Sequence, residues 1–111
     1  MEFPNPHKAF VDINKLQAYC LNPQHVRGRH KARVFAAALG FTAQDADLFR
    51  SILLRAAQDS PVIQAGRDRY GQRYIMDFHM AGPKGQAIVR SSWIVLDGEN
   101  FPRFLSCFVL S

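Results

Sequence analysis

Between residues 12 and 60 the apolar positions recur every three to four residues, and after residue 66 they recur every second one. The first period is that of helices with one buried face, the second that of strands. Asp12 is placed to cap a short helix whose apolar positions are Ile13, Leu16 and Cys20, closed by Asn22-Pro23. A second helix is predicted from about residue 29 to 39, with the stripe Ala32, Phe35, Ala36 and Leu39 on one face and Gly40 as a left-handed stop. The third opens on Thr42 and Asp45, a capping-box-like pair, turns Leu48, Phe49, Ile52, Leu53 and Ala56 to the core, and ends at Ser60-Pro61.

Farther on, Arg73, Ile75, Asp77 and His79 share one face of a strand, with Tyr74, Met76, Phe78 and Met80 on the other. Ala81-Gly82-Pro83-Lys84-Gly85 is a turn, residues 86–96 a long second strand, Asp97-Gly98-Glu99-Asn100 the next turn, and residues 103–110 a third strand. Residues 61–64 are a candidate edge strand, and residues 1–11, with two prolines, read as an extended lead-in. Short connections favour antiparallel neighbours, and helices followed by strands favour an α+β fold with the helices on one face of the sheet. The expectation is three N-terminal helices on a three- to four-stranded antiparallel sheet, its other face open to a ligand. At 111 residues, without repeats or linkers, the chain is expected to be a single domain.

Composition adds three points. A 48% hydrophobic share with nine Phe can build a core without staples. No apolar run approaches the roughly 18 residues of a membrane span, and Met1-Glu2-Phe3-Pro4-Asn5-Pro6 lacks a signal-peptide pattern. The expectation is therefore a cytoplasmic protein or an excised module. Cys20 and Cys107 stand apart among apolar neighbours, outside any C-x-x-C pair, and are expected as buried thiols; a disulfide between them cannot be judged from sequence.

Fourteen Lys and Arg against nine Asp and Glu give a net charge of +5, which favours nucleic acid, an acidic protein or an anionic surface as partner. The charge concentrates in His25-Val26-Arg27-Gly28-Arg29-His30-Lys31-Ala32-Arg33, at the mouth of the second helix. Cations there oppose the helix dipole, at about 0.3–1 kcal/mol each. A docked phosphate would reverse that penalty, because the dipole, the free N–H donors and Arg27, Arg29, Lys31 and Arg33 would all face one anion. Gly28 would let the backbone approach it. If the helix instead starts at Pro23, the same run is a solvated helix face.

Other chemistries fit less well. His25 and His30 are five residues apart, not at the i, i+4 spacing of a helical zinc pair, and His7 and His79 are remote, so neither metal nor cofactor is expected. There is no G-x-S-x-G elbow, and residues 82–85 are too short for a phosphate-binding loop. Acid–base cleavage of RNA needs less: a histidine that moves a proton near neutral pH, and cations that hold charge growing on the phosphate. His25, Lys31, Arg90, Ser92, Arg103 and Ser106 would form such a set if the helix mouth meets the sheet. Arg90 and Arg103 also suit ordinary strand solvation, Ser91, Ser92 and Ser106 ordinary sheet positions, and Trp93 suits a core better than a base-stacking platform.

The run Lys15-Leu16-Gln17-Ala18-Tyr19-Cys20-Leu21-Asn22-Pro23-Gln24-His25, then Gly28, Lys31-Ala32, Phe35 and Leu39-Gly40-Phe41, resembles the opening of an uncharacterised bacterial domain family. Trp93-Ile94-Val95 and Pro102-Arg103-Phe104-Leu105-Ser106-Cys107-Phe108 are similar to its later pattern. That family occurs at the C-terminal tips of polymorphic toxins and as small genes beside a partner gene. Its element order is similar to that of the metal-independent barnase/EndoU/colicin/RelE-like ribonucleases. The family's polar His, Gly and Lys fall on His25, Gly28 and Lys31, and its last-strand hydroxyl on Ser106, where Thr is commoner; His30 lies outside the pattern. The resemblance implies a toxin-like endoribonuclease and a small acidic antitoxin or immunity partner. The roles expected are His25 as acid or base, Lys31 and Arg103 on the phosphate, and Ser106 orienting it. Arg27, Gly28, Arg29, His30, Arg33 and Arg90 would line the RNA. The rival expectation is a non-catalytic interaction or nucleic-acid-binding module.

Overall fold

A computed structural model describes all residues, 1–111. Its sheet is an antiparallel meander in the order β1 (Ile63–Arg67), β2 (Gly71–Gly82), β3 (Gly85–Leu96), β4 (Arg103–Val109). The helical segments precede it in the chain: α1 (Ile13–Lys15), α2 (Arg29–Leu39) and α3 (Ala46–Asp59). This is the expected α+β order; an edge strand is present as β1, shifted along the chain from the expected residues 61–64 and shared with them only at Ile63 and Gln64.

The period-two alternation separates the two sheet faces. Tyr74, Met76, Phe78 and Met80 of β2 and Ala87, Val89, Ser91 and Trp93 of β3 are buried under the helices. Ala32, Phe35 and Leu39 of α2 and Phe49, Leu53 and Ala57 of α3 meet them in one core cluster. The opposite face carries Arg73, Ile75, Asp77 and His79 beside Arg90 and Ser92, all at least partly exposed. No helix covers the row Ile75, Ser92 and Ser106, whose residues stand opposite one another in register.

Local signals explain the helix ends. Asp12 accepts a hydrogen bond from Asn14 N–H at 2.9 Å and starts α1, which widens at once into a π-helical turn, Leu16–Cys20. Leu21 N–H donates to Leu16 O across that turn. Gly40 ends α2 at φ 80°, its N–H shared between Phe35 O and Ala36 O. At Thr42 the capping box is complete, with Thr42 N–H donating to Asp45 Oδ2 at 2.8 Å, and a 3-10 turn, Ala43–Asp45, precedes α3.

Two expectations are corrected. Leu48 does not enter the core but is 55% exposed. The stripe that does is Ala46, Phe49, Leu53 and Ala57, and Leu48 lies roughly 100° around the helix from Phe49. The lead-in is also more than extended chain. Phe3 is buried with its ring 5.4 Å from Tyr74 and 5.3 Å from Trp93. Val62 N–H bonds Met1 O, and Phe10 forms a parallel bridge to Arg103. Isolated contact residues of this kind have no period for a pattern search to find.

Candidate functional site

The helix mouth has the predicted boundary but a different internal wiring. Arg27 N–H and Gly28 N–H both donate to His25 Nδ1, each at 3.0 Å. Arg29 N–H donates to His25 O at 2.9 Å. The imidazole therefore acts as an internal cap and carries its proton on Nε2. Its ring also meets Tyr19 edge to face, with centroids 4.7 Å apart. Two backbone donors at the helix mouth are thus occupied by a side chain of the same loop.

Gly28 has a packing role that the sequence did not show. It is buried at φ −90°, an ordinary conformation, and a Cβ there would lie 2.5 Å from the backbone oxygen of Tyr19. The glycine lets α2 approach the π-helical turn and does not expose backbone to a ligand. Gly28→Ala is expected to destabilise the fold by about 1–3 kcal/mol, checked by urea denaturation. An unchanged midpoint would show that Tyr19 can move aside.

The cations themselves are free. The four ion pairs in the chain are Arg67–Asp97, Arg73–Asp68, Arg90–Asp77 and Arg103–Glu99. Arg27, Arg29, Lys31 and Arg33 belong to none of them, and Arg27, Arg29, His30 and Arg33 are exposed. Lys31 is half-buried and lies 5.3 Å from the centroid of the Phe108 ring. It stands where α2 passes the β4 edge and reaches the open sheet face.

There a hollow of about 160 Å³ gathers Lys31, Ile75, Arg90, Ser92, Ser106 and Phe108. The Ser106 hydroxyl is buried without a hydrogen-bond partner. Such an orphan costs about 1–3 kcal/mol and is rare enough in native interiors to need a reason. Ser92 Oγ donates to Ser106 O at 3.4 Å. Arg90 grips Asp77 through two hydrogen bonds of 2.8 Å, and the guanidinium holds the Asp77 carboxyl below its usual range. With Nε and one Nη2 hydrogen engaged there, its remaining donors are free for a ligand.

His30 borders the adjoining hollow, formed with Lys31, Val34, Phe108 and Val109. Behind Ser106, Cys20 and Cys107 are free, buried thiols, as the sequence suggested. Burial pushes the Cys107 thiol up. The neighbouring Cys107 thiol and N–H, with a smaller effect of the Ser106 hydroxyl, lower Cys20 to about 7 against the opposing effect of burial.

The predicted set thus divides. Lys31, Arg90, Ser92 and Ser106 meet at one hollow, whereas His25 and Arg103 do not line it. Arg103 sits at the start of β4, opposite Ile94. It is held by Glu99 at 2.7 and 2.8 Å between the rings of Phe10 and Phe101, a structural clasp that lowers the Glu99 carboxyl. Trp93 is fully buried and offers no stacking surface. No three His, Cys, Asp or Glu side chains converge as metal ligands, and no helix is long and apolar enough to cross a membrane.

Residues 2–111 match the family described as a domain of unknown function, DUF6883. This chain belongs to that family. No curated protein matches it. Among solved structures, a chain of the contact-dependent growth inhibition toxin–immunity protein complex from Klebsiella pneumoniae 342 superposes with a TM-score of 0.66. The identity is 15%, over 96% of the DUF6883 chain and 97% of the other, so what the two share is a fold.

Two contributors to the DUF6883 hollow were not among the candidate site residues of the sequence. Phe108 and Ile75 look like ordinary strand residues, and only cross-strand register sets them beside Ser92 and Ser106. His30, expected along the RNA but outside the family's polar pattern, borders the adjoining hollow and shares Lys31 and Phe108 with this one.

Proposed function

We propose that this DUF6883 domain is a toxin-type, metal-independent endoribonuclease that cleaves RNA by transphosphorylation. The observation that carries the reading is one hollow holding an unpaired lysine, an orphan hydroxyl, a second serine and an arginine with free donors. Lys31 and the outer N–H groups of Arg90 hold the phosphate, and the Ser106 and Ser92 hydroxyls orient its oxygens. His30, and not His25, is the acid–base group, because the His25 Nδ1 is committed to two backbone donors. His30 takes the proton of the ribose 2′-hydroxyl, O2′ bonds to phosphorus, and the P–O5′ bond breaks. O5′ takes a proton from water, leaving a 2′,3′-cyclic phosphate and a 5′-hydroxyl. Arg27, Arg29 and Arg33 flank the site and attract the backbone on either side.

The toxin part of the reading is supported by the fold shared with a chain of a toxin–immunity protein complex. A pI near 9.7 and an unneutralised basic helix suit a chain that handles RNA, which would make this domain the toxin-type half of such a pair. An acidic immunity-type protein would then be its natural partner.

The test is RNA incubated with purified protein in excess chelator, with product ends identified chemically. Fragments with 2′,3′-cyclic phosphate and 5′-hydroxyl ends are expected. RNA left intact at high protein concentration would remove the catalytic reading. If the RNA is bound but uncut, with log affinity falling by about 0.7 per contacted phosphate for each log unit of salt, the domain is a nucleic-acid-binding module instead.

A further inference from the structure

On the other side of Ile75 from the Lys31–Ser106 hollow lies a second one, of about 170 Å³, formed by Pro61, Ile63, Ile75 and Asp77. The two share Ile75. The register explains their alignment: Ile63 stands opposite Ile75, Ile75 opposite Ser92, and Ser92 opposite Ser106, one row across all four strands. Adjacent strands are about 4.8 Å apart, so the apolar end of the row begins one strand spacing from its hydroxyl end. Ile63 is 61% exposed on a strand with no buried residue. Asp77 closes the hollow, and its bond to Arg90 links the two halves.

We propose that the hollow at Ile63, Ile75 and Asp77 is the nucleobase subsite of this site, which rests on the ribonuclease reading above. The phosphate lies against Lys31 and Ser106, the ribose crosses Ser92, and the base packs its face on Ile63 and Ile75. Asp77 makes the subsite selective. Each carboxylate oxygen keeps a lone pair beyond its bond to Arg90. It accepts an N–H from an exocyclic amino group, as acidic side chains accept from cytosine N4. Uracil, whose N3–H is flanked by two carbonyl oxygens, is repelled. The subsite therefore takes amino-bearing bases in preference to uracil.

Amide and isoleucine-methyl NMR of the intact protein tests this with three probes: inorganic phosphate, cytidine 3′-monophosphate and uridine 3′-monophosphate. Phosphate is expected to shift Lys31, Ser92 and Ser106 only. The cytidine nucleotide should bind about tenfold or more tightly than phosphate, shift Ile63 and Ile75 as well, and bind about tenfold more tightly than the uridine nucleotide. Ile63→Ala, a surface change compatible with folding, should weaken the cytidine nucleotide several-fold and leave phosphate binding unchanged. Asp77→Asn should bring the two nucleotides to similar affinity. Nucleotides that bind no tighter than phosphate, or leave Ile63 and Ile75 unshifted, overturn the subsite while the phosphate site stands. Failure of phosphate itself to bind overturns the ribonuclease reading, and the subsite with it.

Discussion

His30→Ala is expected to slow RNA cleavage by about 10²–10⁴-fold, the usual contribution of a positioned acid–base group, with no change in thermal midpoint. His30 is exposed and makes no hydrogen bond within the fold, so its removal leaves no buried group unpaired. His25→Ala should do the opposite. It strips the shared acceptor from the Arg27 and Gly28 amides and the edge contact from Tyr19. The expected cost is about 1 kcal/mol, that of losing a helix cap, with cleavage reduced only by the fraction unfolded. Single-turnover rates and urea midpoints measured on both variants separate the two roles. Cleavage abolished in a stable His25→Ala, with His30→Ala fully active, would return the chemistry to His25 and require the loop to open on binding RNA.

That contrast shows where the sequence was legible and where it was not. The helix at residues 29–39, the capping box at Thr42 and the two faces of β2 were readable because each rests on a local period or a local pair of polar atoms. What could not be read depends on register and on single close approaches. Ser106 meets Ser92 because β4 pairs with β3 in one particular alignment, with an irregularity just beyond Ser92. The sequence did not show that Gly28 is where two backbones touch. The capping role of His25 was hidden for a physical reason. A side-chain acceptor two or three residues before a backbone donor is usually Asp, Asn or Ser, so an imidazole in that position does not announce itself as a cap.

The arginines follow the same logic. Arg90 and Arg103 are both strand residues with bidentate carboxylate partners. Arg90 stands in mid-sheet, opposite Asp77 and Phe108, with its outer donors toward a hollow. Arg103 is sandwiched between aromatic rings at the sheet end. In the sequence Arg103 was expected on the phosphate and Arg90 along the RNA; their neighbours show Arg103 holding the lead-in to the sheet and Arg90 with outer donors beside a hollow.

Trp93→Ala is expected to cost about 3–5 kcal/mol of stability, the range for removing a large aromatic from a core. Stability in proteins of this size totals about 5–15 kcal/mol, so much of the population should unfold on mild heating. Trp93 is completely buried, with Phe3 and Phe104 rings each 5.3 Å from its own. Its indole N–H donates to Ser91 Oγ at 2.8 Å, and Ser91 in turn donates to Met76 O at 2.9 Å. Trp93→Phe keeps most of the ring and strands no donor, because Ser91 still reaches Met76, so its cost should be near 1 kcal/mol for the lost hydrogen bond plus a small void. Calorimetry on the two variants gives the comparison. Trp93 is the chain's sole tryptophan, so emission from the unaltered protein supplies an independent check. RNA binding at the open face should leave that emission in place, since the sheet separates Trp93 from the ligand. Strong quenching by RNA, together with a stable Trp93→Ala protein, would show that the indole leaves the core to stack on a base.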